Sequence, residues 1–339
     1  MLEDESGRVR LVGPAIDDRQ GSFVTGTIMA ALGRETPSGD FEVVDCAFAG
    51  VPDRAAATAA SKKSSKDEWV AIASGLSCGS SHDPDDMRLA LLKEWLLGEA
   101  GSATDASQSA AVSRLILAGD SLVQPVPAET ESHSARRGMP TYSPKPTASL
   151  DAFLDDILPA IPVDIMTGAS DPASPFLPQQ PLHHALLPRA SRHKDFARRS
   201  NPVWLDCDGR SLLGTSGQTL DDIFKYTSTA VDSRAHMARL SLEWSHIAPT
   251  CPDTLWCHPF ADDDPFLLAS SPDFYFVGCQ PKFETLLVPR QASSSSMNVD
   301  HAAGDAVRVV LVPRFAETGE VVLVNLATSE TRVVKFDLQ

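Results

Sequence analysis

Three short apolar runs, each stopped by small or turn-forming residues, constrain this chain most. Val70-Ala71-Ile72-Ala73 runs into Ser74-Gly75-Leu76, Leu115-Ile116-Leu117-Ala118 into Gly119-Asp120-Ser121-Leu122, and Val163-Asp164-Ile165-Met166 into Thr167-Gly168-Ala169-Ser170-Asp171. Runs of this length bounded by turn residues read as strands. Helical periods lie between and after them. Asp83-Pro84 opens a helix with Leu89, Leu92 and Leu96 on one face, stopped by Gly98; Ser149 is predicted to cap a second, with Leu150, Phe153, Leu154, Ile157 and Leu158 at helical spacing before Pro159. A later helix aligns Met237, Leu240, Trp244 and Ile247. Alternating strands and helices predict a layered α/β domain.

The chain outside this pattern reads differently. Residues 1 to about 50 are predicted to be β structure: Arg8 to Val12, Val24 to Leu32, a turn at Thr36-Pro37-Ser38-Gly39-Asp40, then Phe41 to Val44. Three strands do not close a barrel, so this first domain is expected to begin in its middle. The Ala, Thr, Ser and Lys of residues 55–66 read as a linker. Gln124 to Ala148 and Gln291 to Asp305 read as disordered insertions, since neither has an apolar period with which to offset the cost of ordering. Val307 to Phe315, Glu320 to Leu326 and Thr331 to Phe336 are predicted to end the chain as a meander.

The formal net charge of −16 bears directly on partners. A field this negative repels nucleic acid and suits a basic protein. No apolar run approaches the length of a membrane span, and Met1-Leu2-Glu3-Asp4-Glu5 opens acidic, unlike a signal peptide. Six cysteines (Cys46, Cys78, Cys207, Cys251, Cys257, Cys279) are scattered without C-x-x-C spacing, so they read as reduced thiols of a cytosolic or nuclear protein, not as a zinc site.

The residues after the strands carry the chemical argument. A two-metal phosphoesterase places D-x-H, G-D-x-x-D and G-N-H-[DE] at such strand ends and G-H-x-H later, because paired divalent ions must be bridged and charge-neutralised. Here Ser74 and Leu76 stand at the first motif, Asp120 alone survives in the second, and Ala169, Ser170 and Asp171 occupy the third. Gly278-Cys279-Gln280-Pro281 falls where G-H-x-H belongs, with Cys279 in place of an imidazole. The scaffold reads as kept and the catalytic set as lost, with no catalytic residue, metal ligand or cofactor assigned. Asp171 has a simpler reading, as a turn cap before Pro172.

Other patterns have structural alternatives. Gly119-Asp120-Ser121-Leu122 also matches the G-D-S-L of lipase-like hydrolases, with Ser121 as nucleophile, but no D-x-x-H or G-x-N-D accompanies it. His183 and His184 are neighbours, and on a strand they would point to opposite faces, so they read as a surface or loop pair. Asp221-Asp222 and Asp262-Asp263-Asp264 read as solvated acidic faces. Arg189, Arg192, Lys194, Arg198 and Arg199 surround one aromatic, Phe196, which is too little stacking surface for a nucleic-acid site.

Longer stretches are more specific. Leu177-Pro178-Gln179-Gln180-Pro181-Leu182-His183, Leu213-Gly214-Thr215-Ser216-Gly217-Gln218 and Ala248-Pro249-Thr250-Cys251-Pro252-Asp253-Thr254-Leu255-Trp256-Cys257 closely resemble the B-subunits of DNA polymerase delta, as do Ser113 to Gly119 and Val163 to Met166. The resemblance runs in order along nearly the whole chain. It implies an OB-fold at 1–54, a linker at 55–67, and a calcineurin-like phosphoesterase domain at 68–339 that has lost its metal ligands. It also implies a nuclear, non-catalytic subunit of DNA replication and repair synthesis. The role implied is to bridge the C-terminal metal-binding domain of the catalytic subunit to a third subunit, meeting DNA only indirectly or weakly. His258 stands where the family tends to have Tyr, and Thr167 where it tends to have Pro. The family begins upstream of Leu2, so part of the OB-fold is expected to be missing, leaving strand edges and apolar interior open.

Two rival functions remain at this stage: an active metallophosphoesterase with a reduced ligand set, and a single-strand-binding OB module. Ligand count disfavours the first, and net charge with an incomplete barrel disfavours the second.

Overall fold

The computed structural model describes residues 1–17, 20–55, 67–79, 84–124, 143–226, 233–290 and 306–337. The chain opens with β1 (Leu2–Asp4) and β2 (Gly7–Val9), a small hairpin, followed by β3 (Leu11–Val12) and a single helical turn, α1 (Pro14–Asp17). After β4 (Met29–Glu35) and β5 (Phe41–Phe48), β5 sits between β3 and β4 in a three-stranded sheet. Met29 faces Phe48 and Glu35 faces Phe41 across the antiparallel β4–β5 pair. Thr36 and Asp40 close the turn between them, with the Thr36 amide donating to the Asp40 carbonyl at 2.8 Å.

The larger body holds β6 (Trp69–Ala73), α2 (Pro84–Leu96), α3 (Ala103–Ala110), β7 (Val112–Ala118), α4 (Lys145–Ile157), β8 (Val163–Met166), β9 (Phe196–Arg199), β10 (Val203–Cys207) and β11 (Arg210–Thr215). It continues with α5 (Gln218–Phe224), α6 (Arg234–Glu243), β12 (Phe274–Gln280), β13 (Glu284–Pro289), β14 (Ala306–Pro313), α7 (Phe315–Thr318), β15 (Glu320–Asn325) and β16 (Thr331–Lys335). Two sheets form, with strand orders β16-β15-β6-β7-β8-β9 and β10-β11-β12-β14-β13. From β6 to β9 the neighbours are parallel.

Strand alternation divides the core into layers, because successive side chains leave a strand on opposite faces. Val70, Ile72, Ile116, Ala118, Val322 and Val324 of the first sheet meet Leu212, Phe274, Phe276, Val310 and Val312 of the second. The odd-numbered neighbours Ala71, Ala73, Leu115 and Leu117 turn the other way, onto Leu92, Leu96, Leu150, Leu154 and Ile157 of the helices. On the far side, Leu213, Tyr275, Val277, Val309 and Leu311 pack against Leu220, Ile223, Met237, Leu240 and Leu242. The body is therefore helix, sheet, sheet, helix. Strands buried on both faces carry apolar residues on both, which is why the runs at 70 and 115 do not alternate; the one polar residue of the run at 163, Asp164, is buried and paired with Arg114 and Arg199.

Several sequence expectations are corrected. Val24 to Ile28 is not strand: Gly26 has φ +80, and a Cβ there would lie 1.8 Å from the Pro249 carbonyl oxygen, so this turn is seated on the body and β4 begins only at Met29. Ser149 does not cap its helix. α4 starts at Lys145, four residues earlier, with Pro146 in the first turn, where its missing N–H costs nothing. Lys145 to Ala148 are thus helical, while 125–142 lie outside the described residues, as do 56–66 and 291–305. The last three strands are not a meander. β14 lies between β12 and β13, whereas β15 pairs with β6 and β16 in the other sheet. The single turn of α7 at Phe315 carries the chain across, a step that an apolar pattern does not encode.

The N-terminal sheet is fastened to the body. The Gly50 amide donates to the Glu243 carbonyl at 2.7 Å, the Ser245 hydroxyl donates to the Gly50 carbonyl at 2.7 Å, and Phe48 meets the Trp244 ring edge-on at 6.2 Å. Ile28, just before β4, and Leu32 and Val44 of the sheet are exposed. Among the described residues no helix is long and apolar enough to cross a membrane.

Candidate functional site

The carboxyl ends of β6, β7 and β8 lie side by side, and the end of β12 reaches them from the second sheet. Glycines set how close they come. A Cβ on Gly278 would sit 2.2 Å from the Ala118 carbonyl oxygen, and one on Gly168 would sit 2.2 Å from the Asp120 amide nitrogen. Asp120 and Cys279 both take left-handed backbone, at φ 51 and 55, and the β12–β14 register slips beside Cys279. Asp adopts that conformation readily; Cys does so only where the surroundings impose it.

Five of the residues singled out from the sequence converge here. Ser74 is fully buried; its hydroxyl shares its proton between the Val312 and Pro313 carbonyls at 3.1 and 3.0 Å and accepts the Cys279 amide at 2.8 Å. Asp120 accepts the Ser170 amide at 2.9 Å through one oxygen, and its other oxygen receives the Arg314 guanidinium at 2.8 Å. Ser170 in turn donates its hydroxyl to the Leu122 carbonyl at 2.6 Å. Asp171 accepts the Leu122 amide at 2.9 Å and the Gly168 amide at 2.8 Å. It is therefore more than the predicted turn cap, since Leu122 belongs to the neighbouring strand's loop. Cys279 is buried, with its sulfur 3.9 Å from the Ala118 carbonyl oxygen. Leu76 is instead part of the helix-side core, and Ala169 is exposed.

The electrostatics follow from burial. Desolvation lifts the Asp171 carboxyl to about 7; the nearby Asp120 charge adds to this, and the backbone amides of Leu122, Gly168 and Ser121 oppose it. Burial also raises the Cys279 thiol well above its ordinary value, so it stays protonated and is a poor metal ligand or nucleophile. The cation at the strand ends is Arg314, whose own desolvation is outweighed by its pairing with Asp120. Among the described residues, no group of three or more His, Cys, Asp or Glu side chains is gathered to hold a metal ion.

Other candidates are drawn elsewhere. Ser121 is fully buried, which weighs against a nucleophile that must meet substrate. His183 and His184 are an exposed loop pair, as expected: His184 starts a 3-10 turn and the two rings lie 4.2 Å apart. Asp221 is paired with Arg234, Asp222 with Lys225 at 2.8 Å, and Asp264 with His246 at 2.9 Å, so these acids have structural partners. In the basic run, Arg199 holds the buried Asp164 at 2.5 Å and Arg198 donates to the Leu182 carbonyl at 2.8 Å.

Sequence reasoning missed two parts of the site. One is Arg314. The other is a buried amide cluster behind Gly168: Gln179 donates to the Gly168 carbonyl at 3.1 Å, Asn201 donates to Gln179 at 2.8 Å, and Gln218 donates to Gln179 at 2.9 Å. A buried polar cluster this well satisfied fixes one arrangement of the loops. Gln179 and Gln218 lie inside stretches already noted for their family resemblance, which was the available signal.

Comparison with known proteins agrees with that resemblance. The family model for the B-subunits of DNA polymerases alpha and epsilon matches residues 70–285, and that of the DNA polymerase delta subunit OB-fold domain matches residues 1–46. The DNA polymerase delta small subunit of Arabidopsis thaliana is 36% identical over 339 residues, covering 100% of this chain and 72% of its own length. Its counterpart in Oryza sativa is 36% identical over 99% of this chain and 73% of its own length, and that of Saccharomyces cerevisiae is 31% identical over 100% and 70%. By these matches, the chain belongs to the family of DNA polymerase delta small subunits.

Proposed function

We propose that the chain is a non-catalytic accessory subunit of a DNA polymerase delta complex, built as an OB-fold region at 1–54, a linker at 55–67 and a calcineurin-like phosphoesterase body at 68–339. In this reading the body bridges the catalytic subunit's C-terminal metal-binding domain to a third subunit, in the nucleus, during replication and repair synthesis.

One observation carries the loss of catalysis: the Arg314 guanidinium lies 2.8 Å from Asp120 where a two-metal site would hold an ion. A fixed organic cation neutralises the surviving carboxylate but offers no open coordination position, so it cannot bind a water and acidify it to hydroxide. The helix–sheet–sheet–helix layering, with strand ends converging from both sheets, supports the calcineurin-like assignment.

The test has two arms. The chain co-expressed with the catalytic and third polypeptides of a polymerase delta should co-elute with both, and omission of this chain should separate them. Purified alone, it should carry no stoichiometric manganese or zinc and should not hydrolyse bis(p-nitrophenyl) phosphate in manganese. Hydrolysis abolished by Asp120→Ala would overturn the non-catalytic reading. Co-elution of the other two polypeptides without this chain would overturn the bridging role.

A further inference from the structure

An exposed aromatic cluster of the body is remote from any role described so far. Phe176 and Trp256 stack with ring centroids 5.5 Å apart and planes 27° apart; His258 lies 5.7 Å from Phe176, and Phe260 lies 6.4 Å from His258. The four rings form one continuous ridge. Trp256 is 60% exposed, Phe260 55% and Phe176 41%, although aromatic side chains with no partner surface normally turn inward. The ridge is held rigidly: the Leu177 amide donates to the Trp256 carbonyl at 2.9 Å and the His258 amide donates to the Leu177 carbonyl at 2.8 Å. Beside Phe260 a cavity of about 330 Å³ opens between Cys251, Pro252 and Asp263.

Charge identifies what fits. Neither of the two stretches that supply the ridge, residues 146–188 and residues 240–281, contains a single Lys or Arg. The second stretch carries Asp253, Asp262, Asp263 and Asp264, of which Asp253, Asp262 and Asp263 are exposed. Ring faces present negative potential to a cation, and the surrounding carboxylates reinforce it. Nucleic-acid bases also stack on exposed rings, but their phosphates would have to approach this acidic rim against a net charge of −16.

We infer that the Phe176–Trp256–His258–Phe260 ridge is a docking site for an arginine- or lysine-bearing polypeptide segment, whose cationic side chains lie on the rings and whose aliphatic or proline residues enter the cavity beside Phe260. The inference rests on the accessory-subunit reading only in taking the occupant to be protein. Cationic heads over Trp256 and Phe260 place their charge between the rings and Asp262 or Asp263. The preformed backbone means that little ordering is lost on binding.

The test measures fluorescence anisotropy of a labelled twelve-residue peptide of repeated Arg-Pro-Leu, added to the full chain at low ionic strength. A counterpart with Glu for every Arg and a twenty-residue oligothymidylate serve as competing probes. The arginine peptide should bind; Trp256→Ala and the pair Asp262→Asn with Asp263→Asn should each weaken it by about five- to tenfold. Trp204→Ala, which removes an exposed ring on β10, should leave it unchanged, and the other two probes should not compete. Because the Trp256 ring is exposed, its removal should not unfold the chain, and the double Asp variant repeats the test without touching packing. No binding, or binding by Trp256→Ala or the double Asp variant as tight as that of the natural chain, overturns the inference. Tighter binding of oligothymidylate overturns it in favour of nucleic acid. None of these results depends on co-elution with polymerase subunits, so the two readings fail separately.

Discussion

Arg54, at the end of the N-terminal region, donates to the buried carboxylate of Asp273 at 2.6 Å. Arg210 and Arg290 approach the other oxygen of the same Asp273 at 3.2 and 3.5 Å. One acid thus holds three guanidiniums, and breaking such a buried cluster from the acid side costs most. Asp273→Asn should lower stability by about 3–5 kcal/mol, while Arg54→Ala, which leaves two partners in place, should cost about 1–3 kcal/mol. Urea unfolding checks the ranking. Equal losses would mean that Arg210 and Arg290 do not lean on Asp273.

Removing Arg314 takes the counter-ion from Asp120. Because the guanidinium is partly exposed, water offsets some of the loss, and Arg314→Ala should cost about 1–3 kcal/mol. Arg314→Lys should recover part of it, since a point charge reaches Asp120 without the planar fork. Thermal unfolding of the three proteins gives the order. A more stable alanine variant would show that desolvation of Arg314 outweighs its pairing.

Asp171 predicts a pH dependence. Its carboxyl is raised from 3.8 to about 7 by burial, so between those values the folded chain keeps a proton that the unfolded chain has released. That contribution is fully present below about pH 4 and is lost as pH rises through about 7, with a total on the order of a few kcal/mol. Asp171→Asn cannot titrate. The stability gap between the natural chain and this variant should therefore narrow steadily from pH 4.5 to 7.5 in urea melts. A gap that widens with pH would show that the carboxylate is held ionised.

The glycines at the strand ends should tolerate nothing larger. Gly168→Ala and Gly278→Ala each drive a Cβ to 2.2 Å from backbone of a neighbouring loop or strand. Each should cost about 3 kcal/mol or more, because backbone moves less readily than a side chain tip. Gly39→Ala, at φ +83 but with open space around it, should cost only about 1–2 kcal/mol. Melting temperatures of the three variants test whether crowding or conformation dominates.

What the sequence revealed depended on how local the cause was. The strands at 70 and 115 were legible because burial on both faces leaves an uninterrupted apolar run, and that at 163 because only the ion-paired Asp164 interrupts it. Phe41 onward was legible because the Thr36–Asp40 turn announces it. The start of α4 was misplaced because a serine looks like a cap, while Pro146 in a first turn looks like a loop. The split of β14 from β15 was illegible: both are apolar runs, and which sheet each joins is decided by partners far away. Departures from the two-metal motifs could be counted in the sequence at Ser74, Leu76, Ala169, Ser170 and Cys279. Arg314 could not be anticipated, because it lies outside every ligand motif and reaches Asp120 only once the two sheets are stacked. The amide cluster of Gln179, Asn201 and Gln218 was hidden for the same reason, as its members come from three separate segments.

The pairing of β15 with β6 has a consequence for synthesis. Ile72 lies opposite Val322, and Val70 opposite Val324. A ribosome delivers β6 early and its antiparallel neighbour only after almost the whole body has been made. Until then one edge of β6 is open and apolar, a state prone to wrong pairing. Arg314 arrives just ahead of β15, so the charge on Asp120 is neutralised in the same late event. The body therefore closes late in synthesis, when β15 covers the open edge of β6.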